Sequence, residues 1–140
     1  MIKYFPAEDI REMAGIVSDV LEWKHIKKEQ VLCFRSIGTS SKSVIARCHA
    51  LSKIWQKGLN VDTHYIVEVV SERFDKMSQK EKEMVIIHEL MHIPKAFGGG
   101  LIPHKGHINR RKVEELHNLF CEKKSENKTE SKKEEWVNFS

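Results

Sequence analysis

At 140 residues, with 40% apolar and 31% charged residues, the chain has the size and balance of one globular domain with a modest core. A net charge of +4 is mildly basic and only weakly suggests an anionic partner, such as weak nucleic-acid association through that surface. No apolar run approaches the length of a membrane span, so no membrane partner is expected.

The opening Met1-Ile2-Lys3-Tyr4-Phe5-Pro6 turns polar at once and has no secretory pattern. Cys33, Cys48 and Cys121 form no CxxC pair and no disulfide framework. Reduced thiols in a cytoplasmic protein are expected, Cys33 and Cys48 in strands and Cys121 at a helix end.

Pro6 to about Trp23 reads as an amphipathic helix. Pro6 suits a first turn, Glu8 and Asp9 suit the positive end of the dipole, and Ile10, Met13, Val17, Val20 and Leu21 form a helical stripe. Lys24 to Glu29 is a charged connection. Gln30 to Ile37 is β-branched and aromatic, a strand. Gly38 to Ser43 is a turn without the spacing of a phosphate cradle. Val44 to Leu51 is a second strand. Ser52 to Leu59 is ambiguous, with Trp55 suited either to the core or to a groove wall. Asn60-Val61-Asp62 is a turn, and His64 to Ser71 is the most apolar strand, interrupted only by Glu68. Either Ser52 to Trp55 or Tyr65 to Ser71 could be a sheet edge that holds an extended peptide as an added strand.

The segment from Ser78 to Ile93 concentrates the chemistry. Ser78 and Glu81 make a capping box ahead of an apolar run, which fixes a helix start independently of the histidines further along. The second half of this helix is apolar all round, as a buried helix is. It nevertheless carries His88-Glu89-Leu90-Met91-His92, an HExxH motif. Residues four apart share a helix face, so His88 and His92 can bind one metal ion, and Glu89 beside them can reach a water. Two histidines and a glutamate in a buried stretch are costly without partners, and a metal ion supplies them. Pro94 stops the helix, and Gly98-Gly99-Gly100 makes a flexible bend.

A catalytic zinc takes three protein ligands. The third is expected downstream, where His104, His107, Glu114 and Glu115 are the candidates. His104 is preferred, because it follows a stiffening proline and lies outside a helix; His107 is then an oxyanion donor or a surface residue. The spacing HExxHxxGxxH is not met, since Lys95 and Gly98 occupy the required positions. With one Zn2+ on His88, His92 and His104, Glu89 serves as general base toward a water that attacks a peptide carbonyl, then passes the proton to the leaving amine. His25, His49, His64 and His117 have no such context and read as surface or packing residues. Asn109 caps a last helix from Arg110 to about Cys121, with Val113, Leu116 and Phe120 inward. Residues 122–140, with five lysines against five glutamates, read as a disordered tail. Its Trp136, Val137 and Phe139 form either a small docking motif or a chance apolar end.

The block from Phe74 to Leu116, FDKMSQKEKEMVIIHELMHIPKAFGGGLIPHKGHINRRKVEEL, resembles the phage-type metallopeptidase family of archaea and some viruses. It is also similar to SprT-like metallopeptidases, minimal zincins in which a Pro-His pair follows HExxH. The resemblance implies an α+β, zincin-like domain: an N-terminal helix, a small, mostly antiparallel sheet of three to four strands, the motif helix and a C-terminal helix. It implies His88, His92 and His104 as zinc ligands and Glu89 as catalytic base in a hydrolase acting on protein or peptide. Lys105 stands where the SprT-like pattern has glycine, so His107 stays open beside His104. Residues 1–121 would form the metallopeptidase domain and 122–140 the tail. Some SprT-like relatives act on DNA-bound proteins, with which Arg110-Arg111-Lys112 is compatible, although a basic first turn is more commonly a solvated face. The contrasting reading is a metal-stabilised binding module that does not cut, associated with DNA or a regulatory partner.

Overall fold

The structure, a computed structural model, describes the backbone of residues 1–138 and the side chains of residues 1–128. The described residues form an α+β domain with five α-helices and one four-stranded mixed sheet. The strands are β1 (Lys3–Pro6), β2 (Val31–Ile37), β3 (Ala46–Ala50) and β4 (Tyr65–Val70). They lie in the order β1-β2-β4-β3, with β1–β2 and β3–β4 antiparallel and β2–β4 parallel. The helices are α1 (Glu8–Val20), α2 (Lys53–Leu59), α3 (Ser71–Phe74), α4 (Gln79–Met91) and α5 (Arg110–Asn138).

Strand β4 is central, which accounts for its apolar character: Tyr65, Val67, Val69 and Val70 are all fully buried. Tyr65, Val67 and Val69 point to one face and meet Ile10, Ala14 and Val17 of α1 and Ile86, Ile87 and Leu90 of α4 in a single core. Helix α4 thus lies against β3 and β4 on one side and against α1 and α5 on the other. Its Ser78 cap is formed, with the Glu81 N–H donating to Oγ at 3.2 Å. Asn109 caps α5 in the same way, accepting from the Lys112 N–H at 2.9 Å.

The N-terminal segment departs from expectation. Pro6 is the last residue of an edge strand rather than the first turn of a helix. A strand that stops at proline loses no interior ladder bond. Helix α1 stops at Val20, short of Trp23. The Glu22 N–H donates to the Asp19 carbonyl and the Trp23 N–H to that of Ser18, a Schellman closure with Glu22 left-handed at φ 56°. With glutamate in the position usually held by glycine, the sequence carries no stop signal there. Arg35 then ties three elements together, bidentate to Asp9 at 2.6 and 2.8 Å and paired with Asp75 at 3.1 Å.

Three further readings change. Ser52 to Leu59 forms helix α2, closed by Asn60 in the left-handed region, and Trp55 is exposed. Tyr65 to Ser71 cannot be a sheet edge, because β4 is paired on both sides, and Ser52 to Trp55 is not a strand. The edge beside α4 is β3. Finally, α5 runs past the expected end near Cys121 to Asn138. Lys and Glu are good helix formers, so a charged composition does not separate a disordered tail from a solvated helix. Phe139 and the side chains of Trp136 and Val137 lie outside the described residues, and with them the proposed apolar end.

Candidate metal centre

Helix α4 places His88 and His92 one turn apart on the same face, with His92 at the C-cap. The chain then turns at Pro94, crosses the glycines and returns. The Ile102 N–H donates to the His92 carbonyl at 2.8 Å, and the Ile102 carbonyl lies 2.7 Å from His92 Nδ1. A carbonyl at Nδ1 selects the tautomer with the proton on that nitrogen, leaving the Nε2 lone pair free.

Two residues further on, His104 brings its Nε2 to 3.0 Å from Nε2 of His88 and 3.1 Å from that of His92. Tetrahedral coordination at about 2.0–2.1 Å sets neighbouring ligand nitrogens about 3.3 Å apart, so the three imidazoles lie close to the positions a zinc ion requires. They satisfy one another poorly in its absence, since three nitrogens facing one point cannot all be matched donor to acceptor. The donor set therefore fits a borderline dication such as zinc. His107, Glu114 and Glu115 are outside this group. His107 is exposed, and Glu114 and Glu115 pair with Arg110 and Arg111 at 2.9 and 3.2 Å. The basic run that opens α5 is thereby largely matched within its own helix.

Burial pushes His88 down to about 4, with His92 and His104 adding to the effect, so its imidazole is neutral and ready to act as a ligand near neutral pH. Burial pushes the Glu89 carboxyl up to about 7. A cation held by the neighbouring imidazoles would draw it back toward the ordinary carboxylate range. Both residues open onto a cleft of about 710 Å³, walled by Ala46, Arg47, Cys48 and His49 of β3 and floored by Met84, Val85, His88 and Glu89 of α4. Burial raises the Cys48 thiol to about 12, which favours its protonated form.

Two groups of supporting residues have no sequence signal. On β4, Tyr65 is buried and its hydroxyl donates to the Gly100 carbonyl at 2.9 Å while accepting from the Gly99 N–H at 3.0 Å. Gln56 donates to the carbonyls of Leu51 at 2.8 Å and Gly98 at 3.4 Å. The glycine bend is therefore pinned to the sheet rather than free. On the outer face, Glu68 accepts from Ser36 at 2.6 Å and Arg47 at 3.2 Å, and contacts His49 Nε2 at 2.8 Å. Burial acts against its charge, but these partners outweigh burial and hold its carboxyl below the usual range. His49, read from sequence as a surface or packing residue, is exposed at the surface as expected and also borders the cleft. His64 is half-buried, its Nδ1 against the Asp62 carbonyl, whereas His117 is buried and contacts Glu83.

Gly99 has φ +107°, and a Cβ there would meet the Leu51 carbonyl oxygen at 2.7 Å and Gln56 Nε2 at 2.8 Å. Gly99→Ala is expected to destabilise the fold by about 1–3 kcal/mol, from left-handed strain and the forced shift of backbone, and to lower metal retention by displacing the His104 loop. Gly100→Ala, where a Cβ meets nothing within 4 Å, is the control. Thermal unfolding and metal content of the two variants check this, and equal behaviour would refute it.

A family model described as putative phage metallopeptidase matches residues 2–132. No curated protein and no solved structure matches the chain.

Proposed function

The chain belongs to the putative phage metallopeptidase family, and from that premise we propose that it is a zinc-dependent endopeptidase with His88, His92 and His104 as ligands and Glu89 as general base. The observation that carries this reading is the convergence of three imidazole nitrogens beside a buried carboxylate at the floor of a cleft. Bound there, zinc would supply Lewis acidity, activating a water at neutral pH and polarising a carbonyl oxygen. Glu89 accepts the proton of the attacking water and delivers it to the departing amine. Its burial keeps the proton on the reaction path and out of bulk water.

Strand β3 would hold the substrate. The Leu51 N–H donates to the His64 carbonyl and the Val70 N–H to the Ile45 carbonyl. Antiparallel ladders alternate bonded and non-bonded pairs. The polar backbone groups of Ala46, Cys48 and Ala50 therefore point away from β4, toward the free edge. An extended peptide can add to that edge with its scissile bond over His88 and His92. Thiols without disulfide partners and the absence, among the described residues, of any helix long and apolar enough to cross a membrane are compatible with a cytoplasmic setting.

The test is cleavage of an unfolded protein by the native chain, by the chain stripped with a chelator, and by the stripped chain given one equivalent of zinc. Activity should be present, lost and restored in that order. A metal-replete protein that leaves every unfolded substrate intact would instead favour the non-cutting binding module.

A further inference from the structure

We propose that Glu83, His117 and Cys121 form a second cation site, between α4 and α5, that takes a borderline or soft dication such as zinc. Glu83 lies five residues before His88, so it leaves α4 on a different face from the imidazole triad, toward α5. His117 and Cys121 stand one turn apart on α5, the i,i+4 spacing that lets one helix supply two ligands.

The three ligand atoms lie within 4.8 Å of one another. His117 Nε2 is 3.0 Å from Glu83 Oε1, and Cys121 Sγ is 3.7 Å from the same nitrogen. Tetrahedral zinc with bonds of about 2.0 Å to oxygen and nitrogen and about 2.3 Å to sulfur sets these pairs about 3.3 and 3.6 Å apart. Sγ is also 3.8 Å from Nδ1, which places it over the ring edge. Cys121 is exposed and has no disulfide partner, so its thiol is open to a cation from solvent.

Charge and softness agree with the geometry. Glu83 and His117 are buried. One carboxylate, one thiolate and a neutral imidazole around a dication sum to zero, which suits a site at a helix–helix seam. A thiolate selects zinc or a softer ion over magnesium or calcium. Binding displaces the thiol proton to solvent, and water completes the coordination. Occupancy would fasten the helix that carries His88 and His92 to the helix that succeeds the His104 loop.

Cobalt(II) separates this site from the triad, because thiolate-to-cobalt charge transfer absorbs in the near ultraviolet and an all-imidazole site does not. Metal-free full-length protein is titrated with cobalt under reducing conditions. Two equivalents should bind, with the near-ultraviolet band present in the native chain, retained in Cys48→Ser, Glu89→Gln and His104→Ala, and reduced to baseline in Cys121→Ser, which should bind one equivalent. Cys121 is exposed, so its serine variant should fold. No thiolate band at saturating cobalt, or a band that survives Cys121→Ser, overturns the proposal. Because the readout persists in His104→Ala, failure of the peptidase reading and failure of this site are told apart.

Discussion

Glu89→Gln is expected to lower kcat/KM on an unfolded protein substrate by about 10²–10⁴-fold, the range lost when a positioned general base is removed. Metal content should not change, because His88, His92 and His104 meet without the carboxylate. The substitution is nearly isosteric, and burial disfavours the charged form of Glu89, so the glutamine variant should melt at or slightly above the native temperature. These three expectations are read by initial rates, metal analysis and thermal unfolding on one preparation. The pattern matters more than any single value. Loss of activity with loss of zinc would make Glu89 a ligand or a structural residue. Retention of more than about a tenth of native kcat/KM would place the base elsewhere, since such a loss is smaller than the range expected for a positioned base.

What made the centre readable was the coincidence of independent local signals on one short stretch. The Ser78 cap, the all-round apolar surface and Pro94 define α4 without reference to HExxH, and helix periodicity then places His88 and His92 together. The approach of His104 depends on less local facts. Nothing in the letters says that Ile102 will bracket His92, or that Tyr65, 35 residues before Gly100, will pin the glycine bend. Sequence also left the edge strand undecided, and both named segments were wrong. Hydrophobicity marks β4 as the better strand, but that same character is what places it in the middle of the sheet. Strand β1 was missed for a related reason. Its four residues are all exposed and end in proline, so they show no alternation to read. The second candidate site was present in the sequence as His117 and Cys121 at i,i+4, but its third member comes from another helix, and only the packing of α4 on α5 brings Glu83 to it.

His104→Ala is expected to weaken zinc binding by at least about 100-fold, and His107→Ala by no more than about twofold. Loss of an outer partner of a ligand already costs 10–100-fold, and loss of the ligand itself should exceed that. The two histidines share one turn, which makes the comparison sharp. The N–H groups of His107 and Ile108 donate to the His104 carbonyl at 3.1 and 2.9 Å, so the turn depends on the backbone of His104 and survives truncation of its side chain. Both side chains are exposed, so neither substitution opens a cavity in the core. A difference in metal retention therefore reports coordination rather than folding. Competition against a chromophoric chelator gives the two affinities, and cleavage of an unfolded protein should track them, with His104→Ala inactive at limiting zinc and His107→Ala near native. The reverse ranking would move the third ligand to His107 and require the loop after Ile102 to rearrange. Equal and small effects would mean that two imidazoles from α4 suffice, contrary to the three-ligand requirement of a catalytic zinc.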